Sequence, residues 1–185
     1  HSFTHKDQMQ SNWKQSFDYM QESEGGFSDD PDDNGNWLPD GRKGCTNLGV
    51  TQTTWESWVG RQSNEKEMRN LTHALVEPMY RRKFWDACRC NDLPPGVDYL
   101  VFDLAVNGGS GRGAKTLQSA VGATPDGAIG PLTLAAVSKF NSRELVNKFT
   151  DEKVAWYKSL KNPKYEQGWL NRAEIVRQRA LKMVG

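Results

Sequence analysis

Apolar residues recur along this chain at steps of three and four, the period of helices packed on one face. Met9, Trp13, Phe17 and Met20 make one such face, and Gly25-Gly26 would stop the helix that carries it. Thr53-x-x-Glu56 predicts a capping box ahead of Trp55, Trp58 and Val59. Pro78 suits the first turn of a helix bearing Met79, Tyr80, Phe84 and Ala87. Leu93-Pro94-Pro95-Gly96 interrupts the pattern and divides the chain into two lobes, 7–95 and 96–185, expected to pack as one globule. Beyond it, residues 99–106, 114–121 and 131–140 show helical spacing, as do two longer segments after Asn141 and Pro163. Asn141-x-x-Glu144 predicts the start of the first of those two.

Residues 25–51 differ. They are rich in Gly, Asp, Asn and Pro and end in Gly49-Val50-Thr51, which predicts a long polar loop or a small β-hairpin flap. The fold class is therefore mainly α, a helical bundle with one polar flap.

At 185 residues the chain is long enough to bury a real core, and its mean hydropathy of −0.77 leaves no apolar run near the roughly 20 residues of a membrane span. No basic segment followed by an apolar one opens the sequence, so no signal peptide is expected in it. Three cysteines exclude a fully paired disulfide scaffold and point to synthesis in a reducing compartment. The net charge of +1 argues against a nucleic-acid partner, yet it hides a division. Residues 1–98 hold 11 Lys and Arg against 16 Asp and Glu, a net −5, whereas residues 99–185 hold 13 against 7, a net +6. Between Lys14 and Arg42 there are eight acids and no base, and the stretch from Lys153 onward holds eight bases. That basic stretch is either a solvated helix face or a surface for an anionic polymer.

Glu24 is the most informative residue for chemistry. It lies four positions after Met20 and seven after Phe17, so it continues the apolar face of the first helix. A carboxyl among apolar groups has its charged form disfavoured, which suits a general acid; the alternative is decoration of a helix end. Asp29, Asp30, Asp32 and Asp33 follow on a loop able to fold back over that end. One protonated and one solvated carboxyl together make the pair that glycoside hydrolysis uses. Asp30-x-Asp32-x-Asn34-Gly35 also fits the first half of a calcium loop, but its twelfth position is Gly41 instead of the bidentate Glu, so no metal is expected. Cys45, Cys88 and Cys90 with His73 offer a thiol nucleophile and base, although buried inert thiols fit the apolar setting of Cys88 better. Trp13, Trp58 and Trp85 fall on apolar stripes and are expected in the core. Trp37, on the acidic loop, either stacks on a sugar ring or anchors the loop. Gly108, Gly109, Gly111 and Gly113 are expected between helices, capping a turn.

These residues resemble a known family. Glu24-Gly25-Gly26-Phe27, Asp30-Pro31-x-Asp33 and Thr46-x-x-Gly49-Val50-Thr51 are similar to the signature of glycoside hydrolase family 108, lysozyme-like N-acetylmuramidases found as phage endolysins. Leu93-Pro94-x-Gly96-Val97-Asp98-Tyr99, Phe102-Asp103-x-Ala105-Val106-Asn107-x-Gly109, Leu117-Gln118, Asp126-Gly127-x-Ile129-Gly130-Pro131-x-Thr133-Leu134 and Gly168-Trp169-Leu170-Asn171-Arg172 resemble the type 3 peptidoglycan-binding domain that accompanies it. The resemblance runs from about residue 14 to residue 180 and implies a lysozyme-like α+β fold, with a catalytic lobe over 7–95 and a wall-binding lobe over 96–185.

It implies hydrolysis of the β-1,4 bond between N-acetylmuramic acid and N-acetylglucosamine. In that chemistry Glu24 is the acid, Asp33 or its rival Asp30 the second carboxylate, and Thr46 the residue that positions water. Extra residues between Gly35 and Thr46, Trp37 and Cys45 among them, depart from the family pattern. Phe27, Trp37 and Asn107 are candidates for binding substrate, Asn107 through an N-acetyl group or, alternatively, by satisfying a helix end. Bacterial peptidoglycan is the implied partner, the protein is expected to be a monomer, and no cofactor is needed. The resemblance places it in the host cytoplasm until release to the wall. A peptidoglycan amidase or cysteine peptidase, and a wall-binding module without activity, are the competing functions.

Overall fold

The computed structural model describes residues 2–23 and 25–185. Among these residues it has nine α-helices and one two-stranded antiparallel sheet, the mainly-α class that the spacing predicts. Two compact units share the chain. One comprises the residues up to Ser16 together with Arg82–Gly185, and the other is Phe17–Arg81. Helix α1 (His5–Glu22) contributes to both.

In the smaller unit the polar flap crosses a short hairpin, β1 (Thr46–Asn47) and β2 (Val50–Thr51), with Thr46 opposite Thr51. Leu48 and Gly49 both have positive φ, as a two-residue primed turn requires, and the Tyr80 hydroxyl holds the Leu48 carbonyl at 3.1 Å. Helices α2 (Gln52–Val59), α3 (Glu65–Arg69) and α4 (His73–Tyr80) follow. Each starts on a side chain that accepts a backbone N–H: Thr51 from Thr54, Asn64 from Glu67 and Thr72 from Leu75.

Two expected starts are thereby corrected. The cap of α2 is Thr51 and not Thr53, because the Thr51 hydroxyl reaches the Thr54 N–H and Glu56 turns instead to Arg42. Pro78 sits inside α4 and not in its first turn, because Thr72 already provides the cap six residues earlier. The chain then widens into a π-helical stretch over Arg81–Trp85.

The larger unit holds α5 (Val97–Gly108), α6 (Ser110–Val121), α7 (Pro131–Val137), α8 (Ser142–Ser159) and α9 (Pro163–Val184). Residues Val97 to Ala105 of α5 are all buried, so this helix is the core around which the others pack. Trp13, Trp85 and Phe102 meet edge to face at 5.3–5.8 Å between ring centres. Trp58 departs from the expected core position and is only half-buried, since α2 has a single row of buried positions that Gln52 and Trp55 fill. The glycine cluster is also corrected. Gly111 and Gly113 lie within α6, and a Cβ on Gly113 would come 2.9 Å from the Val101 carbonyl oxygen and 3.2 Å from the Ala105 Cβ, so this glycine permits the close approach of α5 and α6.

Asp103 and Lys153 are each 1% exposed, with their charged atoms 4.0 Å apart, and Arg172 reaches the same carboxylate at 2.9 Å. Lys153 therefore belongs to the interior and not to the basic outer surface on which the sequence placed it. Burial pushes its ammonium down from the ordinary lysine range, and the Asp103 carboxylate opposes that shift. Asp98 is buried at the start of α5 and accepts from the N–H groups of Gly96 and Tyr99 and from Asn12 Nδ2. No helix among the described residues is long and apolar enough to cross a membrane.

Candidate active site

The candidate residues gather on the flap of the smaller unit, except Asn107, which lies in α5 of the larger one, and Glu24, which lies outside the described residues. Short-range turn chemistry shapes the flap. Asp30 Oδ1 accepts the Asp32 N–H at 2.9 Å, and Asp33 caps a 3₁₀ turn over Asn34–Asn36 by accepting the Gly35 N–H at 2.9 Å. Both carboxylates are exposed. Asp30 and Asp33 thus serve as turn caps, and among the described residues no group of three His, Cys, Asp or Glu is placed to hold a metal ion.

Thr46 faces this loop from β1. Its backbone exchanges both hydrogen bonds with Ser28 at 2.8 Å, which ties the strand to the chain just after Phe27. Its hydroxyl donates to Asn36 Oδ1 at 2.7 Å. Asn36 is 1% exposed, donates from Nδ2 to the Asp30 carbonyl at 3.0 Å and donates its backbone N–H to the Asp33 carbonyl at 3.0 Å. It therefore joins Asp30, Asp33 and Thr46, the three flap residues singled out for the reaction. Sequence reasoning missed it because nothing in Asn34-Gly35-Asn36 distinguishes the buried asparagine from the exposed one.

Trp37 takes the anchoring role. Its indole N–H donates to the Pro31 carbonyl at 2.8 Å, an anchor, while the residue stays 44% exposed. Phe27 is half-buried, and the Arg69 guanidinium lies 3.7 Å over its ring, covering one face. Asn107 is exposed in the last turn of α5, where its amide donates to Asp103 Oδ2 at 3.3 Å.

On the same flap, Arg42 makes a two-pronged pair with Glu56 of α2 at 2.7 and 3.2 Å and also holds Asp40. The Arg42 bonds pull the Glu56 carboxyl down to about 2, far from the range of a proton donor. The thiols are unsuited to attack. Cys45, Cys88 and Cys90 are buried thiols outside any disulfide, and burial pushes the Cys88 thiol up to about 11 and raises that of Cys45.

Comparison with known proteins shows the family and the fold. The family profile described as Glycosyl hydrolase 108 matches residues 17–109, and the one described as a "Predicted Peptidoglycan domain" matches residues 112–174. Among solved structures, SagA of Brucella abortus is similar, with 35% identity and a TM-score of 0.83 over 95% of this chain and 97% of that one. No curated protein matches the chain.

Proposed function

The chain belongs to the glycosyl hydrolase 108 family, and from that premise we propose that it cleaves the β-1,4 bond between N-acetylmuramic acid and N-acetylglucosamine in bacterial peptidoglycan. The coarser statement, a cell-wall hydrolase or wall-binding protein, follows from the two matched domains. The observation that carries the finer one is the flap. It presents two solvated aspartates and a threonine hydroxyl around one buried asparagine, a few residues after the helix that leads to Glu24.

In this reading Glu24 protonates the leaving glycosidic oxygen, and Asp33, with Asp30 as the rival, accepts a proton from water or stabilises the positive sugar ring. Thr46 holds that water. The exposed indole of Trp37 offers a face for a sugar ring beside the two aspartates. The matched second domain supplies contact with the wall, and the reading places the protein in a bacterial cytoplasm before release to the wall.

Release of reducing ends from purified peptidoglycan tests the proposal. Glu24→Gln is expected to lower the rate by about 10²-fold or more, the effect of removing a general acid. Fragments with free peptide stems and no new reducing ends would instead mark an amidase.

A further inference from the structure

The flap network has a direction. A backbone carbonyl can only accept a hydrogen bond, so the contact with the Asp30 oxygen at 3.0 Å assigns the donating end of the Asn36 amide, and its oxygen must face Thr46. At 2.7 Å from that oxygen, the Thr46 hydroxyl has to spend its single proton there. Among the described residues nothing donates to Thr46 Oγ1, and Thr46 is only half-buried. The hydroxyl is thus left as an acceptor toward solvent.

We infer that Asn36 is a positioning residue that fixes Thr46 as a hydrogen-bond acceptor for the attacking water. This rests on the proposed glycosidase reading. A water that gives one proton to Thr46 Oγ1 and the other to a flap carboxylate turns both lone pairs away from the flap and toward the sugar, whereas a donating Thr46 would hold one lone pair and turn a proton outward. Burial sharpens the selection of one arrangement, because neither end of the amide has water as an alternative partner.

The test is a double-mutant cycle on the full chain, reading kcat and KM for reducing-end release from solubilised peptidoglycan together with the melting temperature. Thr46→Val keeps the branched shape and removes the hydroxyl; Asn36→Ala removes its partner. Each is expected to lower kcat roughly 10–100-fold with KM little changed, and the double variant to be no slower than the slower single one. Losses that multiply in the double variant would overturn the inference and leave the glycosidase reading standing. A Thr46→Val enzyme with wild-type kcat would remove the water-positioning role itself. Asn36→Leu keeps the volume and removes both ends of the amide, so it serves if Asn36→Ala fails to fold. It is expected to lower kcat as far as Thr46→Val does with KM little changed, and a wild-type kcat would overturn the proposal.

Discussion

The flap and the helical core of the larger unit solve opposite problems with polar side chains. On the flap, aspartates and threonines bond backbone N–H groups two or three residues away, and their carboxylates remain in water. In the core, Asp103 and Lys153 meet out of water from two helices, and Arg172 reaches the same carboxylate from a third while itself half-exposed. Local bonds shape a loop cheaply and leave reactive groups accessible, whereas a buried ion cluster requires partners far apart in sequence and leaves nothing free to react. The acidic and basic halves of the sequence therefore differ in more than sign.

The contrast can be broken first at the core. Asp103→Ala strands a buried ammonium, and the expected loss is about 3–5 kcal/mol, read as a large drop in melting temperature. Replacing Asp103 and Lys153 together by Leu and Met should recover much of it, because the charge left without its partner, Arg172, is half-exposed and can be solvated. Next, Gly113→Val forces side-chain atoms between α5 and α6 and should cost about 1–3 kcal/mol by the same measurement.

Smaller effects sharpen the flap side. The folded Glu56 carboxyl titrates near 2 and an unfolded one near 4.5, so its contribution is full above the unfolded value and is lost as pH falls from about 4.5 toward 2. Wild type should lose melting temperature over that window faster than Glu56→Gln does. The smallest expected effect concerns the wall. Lys153 is buried and Arg172 and Arg177 are held by Asp103 and Glu174, whereas Lys158, Lys161, Lys164 and Lys182 are exposed and open to an anionic polymer. Wall binding should weaken modestly between 50 and 300 mM salt in a sedimentation assay. An affinity independent of salt would assign these lysines to solvation alone.

Helix periodicity was legible because it depends on neighbours three and four residues apart, and the flap was legible because Gly, Asp, Asn and Pro oppose any periodic packing. Chain order alone also carried the family signature and, through it, the candidates Glu24, Asp33 and Thr46. The starts of α2 and α4 were not legible, since Thr51, Thr53 and Thr72 are equivalent as letters and only the folded path decides which hydroxyl reaches an N–H. The same holds for the Lys153 that joins Asp103 from another helix, and for the Asn36 that turns inward while Asn34 faces water. The sequence by itself determined which residue types could do chemistry and along which segment. Tertiary structure decided which of them are buried, paired and oriented, because those properties depend on groups that the chain brings together only when it folds.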